Sequence, residues 1–529
     1  MGKTKMTDKQ KVTTMADSDY VFGNFGGKVG QMSILDFLCH LKYDSPDSPD
    51  LSALLRKVDA NTTRISSVED KNTEQDERLV RIENNVSHLF IAGRYWDEGN
   101  ATPTAAGHYG SIEALRYLPE RLGLGRYLVT DDRKRKKLDP KDSNKYLDGS
   151  PAALDGSEGQ CMWCWNGFYA NVWHEGSRLI KAVTFDGPVG GETSVWGPAG
   201  GISWLGAGVM DRENNMLCSI ISEDERYRGG NGKAVNTSLY PNHPADTTPK
   251  ISMLGMPVTG LDTNTFDTYA RKRGEGWGAN WFVARFVVEF LFEVIMGTEN
   301  SQEAFNANKD ANGLYQGGFG MGVTNIPSTY TYNGDYPVIP TSVGLEAGDG
   351  VCTVEYKLPQ SENAEGEAYH TVNVPVFFGL VGAGFGNLWQ WVTGLIVEAG
   401  EEKSKVYVTP SMYATYDPTT VEDKIMVAEC PNVDGFITRK SYRGLCCIPT
   451  EVGGSAIVRY SDNFNKTATS NGLYVRISGG NNGSTTLCGI SFTSLTRKYS
   501  YSHPCGTSPL CYFTEDPSIP ESQSIANNS

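Results

Sequence analysis

The sequence has no long apolar run. A membrane-spanning helix needs about 20 consecutive apolar residues, and no stretch of that kind occurs in the 529 residues. Residues 1–20 are polar and lack the apolar segment of a secretory signal. We therefore expect no membrane insertion and a chain that is made and folded in a cytosol.

Positive charge is also scarce. The chain has 47 Lys and Arg against 62 Asp and Glu, a net charge of −15, which disfavours binding to a phosphate backbone. The one basic run, 133–137, is flanked by aspartates and is typical of a solvated loop. We expect no nucleic-acid partner.

Cysteines are few and irregularly spaced. An odd count of 11 does not suggest a disulfide scaffold, and a cytosol would keep these thiols reduced. Cys161 and Cys164 have the spacing of half a zinc site, but no second pair follows at a suitable distance. The sequence predicts neither a metal nor a cofactor.

Glycine and aromatic residues are abundant instead. The chain has 59 Gly, 26 Tyr and 10 Trp, and only 21% of its residues are charged. This composition indicates a large, β-rich body with many turns. One helix is predicted inside it, over 281–296, where apolar residues recur at helical spacing and Arg285, Glu289 and Glu293 favour a core helix over a membrane span.

A heptad pattern runs from Leu51 to Leu89, and nine of its twelve core positions are apolar. Lys or Arg at position g precedes Glu or Asp at the following e position in three pairs, as in a parallel coiled coil. The mixture of Ile, Val and Leu favours three strands, and hence a homotrimer; a single amphipathic helix is the alternative. The predicted oligomerisation residues are Leu51, Leu54, Val58, Ile65, Val68, Leu79, Ile82, Val86 and Leu89.

Composition divides the chain into five predicted parts. They are an N-terminal piece (1–44), a linker with the stalk (45–90), a polar connector (91–156), a main domain rich in Trp, Phe and Val (157–513) and a loose tail (514–529).

Three sequence blocks in the main domain resemble one known group of proteins. The helix ends in Asn300-Ser301-Gln302, a Gly-Asn-Leu-Trp-Gln-Trp motif covers 386–391, and a glycine-rich stretch from Tyr474 leads to Leu510-Cys-Tyr-Phe513. Together they are similar to the C-type-lectin-like domain of retroelement-diversified phage tropism determinants. That resemblance implies an α+β fold class, with a small N-terminal piece, a trimeric stalk and a large lectin-like domain.

The resemblance is incomplete. The Arg that closes the variable segment of that family is replaced here by Thr507-Ser-Pro, and the reactive cysteines of related formylglycine-generating enzymes are missing. The calcium and sugar motifs of animal C-type lectins are also absent from the sequence, so calcium dependence is not implied. We expect no enzymatic activity.

The start of the chain resembles the attachment pieces of tailed-phage fibres, through 13–19 and 26–31. An anchor, a stalk and a binding head in that order imply a structural fibre protein of a virion. Its expected partners are a second and third copy, other virion proteins at the N-terminus, and a host surface glycan or protein. The mature protein would reside in the virion after synthesis in the host bacterial cytoplasm.

The resemblance also implies where a ligand binds. The irregular segment between Gly480 and Gly506 is rich in Tyr, Arg, Ser, Thr and Asn, which suit varied partners. The predicted ligand-binding residues are Asn481, Asn482, Ser484, Thr485, Phe492, Thr493, Ser494, Arg497, Lys498, Tyr499, Tyr501 and His503.

Two other functions stay open at this point. Some phage fibres degrade capsule glycans with paired carboxylates, and acidic residues do cluster at 223–225 and 398–402. These clusters lie in polar turns without a spacing that predicts one shared cleft. A head decoration fibre without a specific receptor is the second alternative.

Overall fold

The computed structural model describes residues 20–25, 28–33, 90–98, 106–230, 253–311, 313–317, 339–359, 369–455, 460, 462–481 and 488–525. These residues fall into two units, 1–89 and 90–529. In the first unit, β1 (Tyr20–Phe25) and β2 (Lys28–Ser33) form an antiparallel hairpin with Tyr20 opposite Ser33. The predicted stalk, 51–89, lies outside the described residues.

Two antiparallel sheets begin the second unit. The first contains β3 (Ala92–Asp97), β4 (Gly107–Gly110), β9 (Phe168–Glu175), β10 (Arg178–Thr184) and β11 (Thr193–Gly197), in the order β11-β9-β10-β3-β4. The second contains β5 (Gly125–Val129), β6 (Arg135–Asp139), β7 (Asp142–Tyr146), β8 (Gln160–Trp165), β12 (Gly200–Ser203), β15 (Trp277–Ala279) and β28 (Leu510–Phe513), in the order β15-β28-β12-β8-β5-β6-β7. The predicted connector, 91–156, therefore supplies strands to both sheets of this unit.

The largest sheet comes from the C-terminal half of the unit. Its strands are β19 (Trp389–Glu398), β20 (Lys403–Val408), β21 (Ile425–Pro431), β22 (Gly435–Ser441), β23 (Ile448–Val452), β24 (Asn463–Asn465), β25 (Leu473–Ser478), β26 (Thr493–Arg497) and β27 (Gly506–Thr507). The order is β21-β20-β19-β25-β26-β24-β22-β23, with β27 parallel to β19. Because β21 and β23 at the two ends lie against each other, the sheet is nearly closed like a barrel.

Smaller elements complete the unit. They are the pair β13 (Val209–Asp211) and β14 (Met216–Cys218), and the three strands β16 (Cys352–Pro359), β17 (Tyr369–Phe377) and β18 (Leu380–Val381). The helices are α1 (Ile112–Arg121), α2 (Thr263–Arg271) and α3 (Phe282–Met296). Ser111 and Asp262 cap α1 and α2 by accepting hydrogen bonds from backbone N–H groups of the first turn.

Helix α3 is the centre of the core. It contacts β3, β12 and β19, one strand from each of the three large sheets. Every residue from Phe282 to Val294 is buried, which suits a helix that is apolar on nearly all sides. Gly297 ends the helix in a left-handed conformation with φ 69°. The helix predicted over 281–296 is confirmed.

The predicted α+β fold class is wrong. The described residues contain 28 strands and three α-helices, and the largest sheet is a nearly closed barrel. Strands such as β19, with buried Val392, Ile396 and Val397, are rich in the β-branched and aromatic residues that suit sheets. The composition indicated a β-rich body, whereas the α+β class came from the resemblance alone.

No helix in the described part of the chain is long and apolar enough to span a bilayer.

Candidate functional site

The predicted ligand-binding segment begins in the interior of the largest sheet. Strand β26 lies between β25 and β24, and its first three residues, 493–495, are buried. Thr493 is fully buried, accepts a hydrogen bond from Arg476 Nε at 3.3 Å and donates one to the Ser491 carbonyl at 3.1 Å. Asn481, Phe492 and Ser494 are buried as well. In this structure these four residues support the sheet rather than form an accessible face.

The segment reaches the surface only after β26. Lys498 is exposed, and Tyr499 is partly buried against the main core. Asn482, Ser484 and Thr485 lie outside the described residues. The predicted residues that come together at the surface are therefore Arg497, Tyr501 and His503, each partly exposed.

These three side chains form a continuous stack with Trp389. The Arg497 guanidinium lies 4.5 Å from the centre of the Tyr501 ring. Tyr501 stacks on His503 at 6.0 Å and 21° between ring planes, and His503 lies 4.8 Å from the Trp389 ring. We call these four residues the aromatic stack.

Strand pairing puts Trp389 in the stack. In the parallel pairing of β27 with β19, Gly506 lies opposite Trp389. The backbone N–H of Trp389 donates a hydrogen bond to the Cys505 carbonyl at 2.8 Å. His503 is thereby held over the indole. A Cβ atom at Gly506 would lie 2.8 Å from Trp391 Nε1, which is too close for any residue but glycine. This close approach of β27 to β19 is what brings the two halves of the stack together.

Backbone contacts fix the His503 ring. Its Nδ1 accepts a hydrogen bond from the Cys505 N–H at 3.3 Å and lies 2.8 Å from the Cys505 thiol. Because Nδ1 is an acceptor, the neutral imidazole carries its proton on Nε2. The His503 carbonyl accepts from the N–H groups of Gly506 and Gly260. Both the ring and its backbone are therefore held in place before any ligand arrives.

Arg497 has no ion-pair partner among the described carboxylates. Its Nε atom is buried and has no hydrogen-bond acceptor in the described part of the chain. Neighbouring Lys498 likewise has no ion-pair partner among the described residues. The guanidinium is held by the Tyr501 face through a cation–π contact. Its terminal N–H groups thus remain available to an anionic group.

Trp389 is a site residue that was not among the predicted ligand-binding residues. Trp391, two residues further along the strand, is fully buried. Trp389 is partly exposed because it starts the strand, where its outer neighbour is His503 from a distant part of the chain. The only available signal was its position beside the glycine-rich turn 382–386.

Many charges elsewhere in the unit are paired. The largest group, which we call the buried charge cluster, lies around α3. Glu293 contacts Lys181 Nζ at 2.6 Å and also Lys440, while Glu289 contacts Arg285 and Arg476 at 2.7 and 2.6 Å. All these side chains are at most 1% exposed.

The electrostatics of this cluster follow from its lysines. Burial raises the pKa of Glu293, but Lys181 and Lys440 outweigh burial and lower it to about 2. At nearby Asp462 burial outweighs the hydrogen bond from Ser491 and the charge of Lys440, and it raises the pKa of the carboxyl to about 8. Glu293 is therefore ionised at neutral pH and contributes to holding α3, β10 and β22 together.

One cleft, of about 370 Å³, is lined by Asp131, Asp211, Arg226 and Arg273, among others. Its aspartates are already in ion pairs, Asp131 with Arg273 at 2.7 Å and Asp211 with Arg226. The hydrogen bond from Arg226 holds the pKa of Asp211 below its ordinary value. An aspartate of this kind is unsuited to protonate a leaving group near neutral pH.

Acidic residues in both of the clusters 223–225 and 398–402 have structural contacts. Asp224 accepts a hydrogen bond from the Arg226 N–H at the start of a short 3-10 helix, and Glu398 accepts one from the Tyr407 hydroxyl at 3.2 Å. Within the described ranges, no group of three or more His, Cys, Asp or Glu side chains is placed to hold a metal ion. Burial raises the pKa of the Cys164 thiol to about 12, so that it is protonated.

Neither a protein-family model nor a curated protein sequence matches the chain.

Proposed function

We propose that this chain is a structural fibre protein of a tailed bacteriophage virion that displays a ligand-binding head for adhesion to the host cell surface. The observation that supports the binding role best is the aromatic stack, a partly exposed row of rings that ends in a cation without a carboxylate partner among the described residues. Aromatic side chains and Arg are enriched where proteins bind other molecules. The resemblance of residues 1–44 and of the three head blocks supports the virion role.

The rigidity of the stack fits adhesion. Trp389 and His503 are fixed by the β19–β27 pairing, so little side-chain entropy is lost when a ligand docks. In the proposed particle the chain is a homotrimer, joined to other virion proteins through its N-terminus. Three heads on one particle would multiply a weak single contact through avidity.

A cell-binding assay tests this proposal. Labelled full-length protein is added to a panel of bacterial strains, and strains that retain it are then infected with phage in the presence of excess protein. We expect retention on specific strains and a block of infection. Tyr501→Ala should lose both effects, whereas Tyr117→Ala, which removes an aromatic ring 60% exposed on α1, should lose neither.

The alternatives give different results. A capsule depolymerase would release reducing ends from cells that retain the protein. A decoration fibre without a receptor would be retained by no strain. Either result contradicts the proposed function.

A further inference from the structure

The proposed function leaves the chemistry of the ligand open, and the aromatic stack constrains it. Resting on that proposed function, we infer that the stack binds a surface polysaccharide that carries carboxylate groups, with sugar rings along Trp389, His503 and Tyr501 and a carboxylate at Arg497.

The rings favour a saccharide. The axial C–H groups of a pyranose carry a partial positive charge and pack well against the negative face of an aromatic ring. The three aromatic rings lie in a row in space, in the order Trp389, His503, Tyr501, with neighbouring ring centres 4.8 and 6.0 Å apart. Such a row presents successive, partly exposed aromatic surfaces to an extended chain of sugar rings.

Arg497 favours a carboxylate on that saccharide. A guanidinium binds a carboxylate through two parallel N–H···O bonds. No described acidic side chain forms such a pair with the Arg497 guanidinium. The hydroxyl of Tyr501 also has no hydrogen-bond partner among the described residues, and Lys498 adds a second positive charge beside it. Both can contribute polar contacts to the same sugar.

The local charge matters because the whole chain is acidic. A net charge of −15 repels an anionic polymer in general. Arg497 and Lys498 are adjacent in sequence, and neither is neutralised by a described carboxylate. Binding should therefore depend on these few groups and weaken as salt screens them.

A matched pair of polysaccharides tests the inference. Extracellular polysaccharide is extracted from a strain that retains the protein, and one half is carboxyl-reduced, which converts each uronic acid into its neutral sugar. Binding of the full-length protein to the two immobilised forms is measured over a range of salt concentrations. We expect binding to the native form to be stronger by about tenfold or more at low salt, since a charge-assisted hydrogen bond is lost on reduction.

Variants then locate the effect. Arg497→Gln should bind both forms as weakly as the wild type binds the reduced form, and Arg497→Lys should retain part of the preference. Arg116→Gln is the control, because Arg116 is a 70% exposed Arg on α1. An unchanged midpoint of thermal unfolding shows that the Arg497 variants are folded.

Other results overturn the inference in distinguishable ways. Equal binding to the native and reduced forms excludes a role for the carboxylate. Cell retention that protease treatment abolishes, without binding to the polysaccharide, indicates a protein receptor and leaves the adhesive function intact. Absence of retention on every strain contradicts the proposed function as well.

Discussion

The buried charge cluster and the aromatic stack place cations in opposite situations. Around α3, Lys181, Lys440, Arg285 and Arg476 each contact a glutamate. At the surface, Arg497 has a ring beneath it and no described acidic partner. A buried cation without a partner would destabilise the fold, whereas a partly exposed one is solvated by water until a ligand replaces it. The four cations around α3 therefore hold the fold through their glutamate partners, whereas Arg497 can serve binding.

Removing one member of the buried charge cluster should have the largest effect. Glu293→Gln leaves Lys181 and Lys440 without their shared carboxylate, and we expect the free energy of unfolding to fall by about 3–5 kcal/mol. Urea denaturation followed by fluorescence measures this change. Glu113→Gln, which breaks an exposed pair with Arg116 on α1, is the matched control and should change stability little. Equal effects of the two variants would contradict the structural role of the cluster.

A methyl group between the two strands that build the stack should have the next largest effect. Gly506→Ala puts a Cβ atom 2.8 Å from Trp391 Nε1, so β27 must move away from β19. We expect a loss of about 1–3 kcal/mol in unfolding free energy, as for other overpacked positions, together with weaker cell retention. Gly187→Ala is the matched control, since a Cβ atom there meets nothing within 4 Å and the backbone is not in the left-handed region. Unaltered stability of Gly506→Ala would show that the β27 contact is not tight.

Truncating the ring at the end of the stack should affect binding more than folding. Trp389→Ala removes the partner of His503, and we expect cell retention to weaken by about tenfold, because a stacked aromatic pair contributes about 0.5–1.5 kcal/mol beyond its buried area. As a control, Trp196→Ala removes another surface indole, 37% exposed, from β11. Binding titrations on retained strains compare the two variants. A similar loss for both would indicate that the stack has no special role.

The smallest effect is expected at a histidine that, unlike His503, lies between two carboxylates. His174 contacts Glu98 at 3.0 Å and Glu192 at 2.6 Å. Partial burial lowers its pKa, but the two glutamates outweigh this and raise the pKa above its ordinary value. The stabilisation is thus full below the unfolded-state pKa of 6.5 and is lost as pH rises through the higher folded-state pKa.

His174→Gln tests that pH dependence. We expect the variant to be less stable than the wild type at about pH 5, by less than about 1 kcal/mol, and equal to it at about pH 9. Thermal unfolding at the two pH values provides the measurement. A difference that grows with pH would show that the ring is neutral in the fold.

Local patterns in the sequence predicted local structure well. Apolar residues at helical spacing over 281–296 identified α3, and the high Gly and Tyr content indicated many strands and turns. The fold class was wrong because three short blocks of resemblance do not determine the order of strands. That order depends on pairings such as β27 with β19, which join distant parts of the chain.

Only part of the site was predicted, because it too depends on strand pairings between distant parts of the chain. The segment 481–503 contains Arg497, Tyr501 and His503. The sequence does not reveal that β26 lies inside a sheet, nor that Thr493 and Ser494 in this strand are buried. It also does not reveal that Trp389 contacts His503, since seven strands of the same sheet lie between the two residues along the chain. The predicted homotrimer and virion location stay predictions.

The place of β28 has a consequence for synthesis. This strand, 510–513, lies between β15 and β12, which belong to much earlier parts of the polypeptide. Until the ribosome has translated β28, the place between β12 and β15 is empty. The backbone groups of these two strands then lack the strand with which they pair. Chains released early by premature termination would therefore keep an unfilled slot in the sheet and be exposed to proteolysis. Only translation through 513 would yield a subunit fit for assembly.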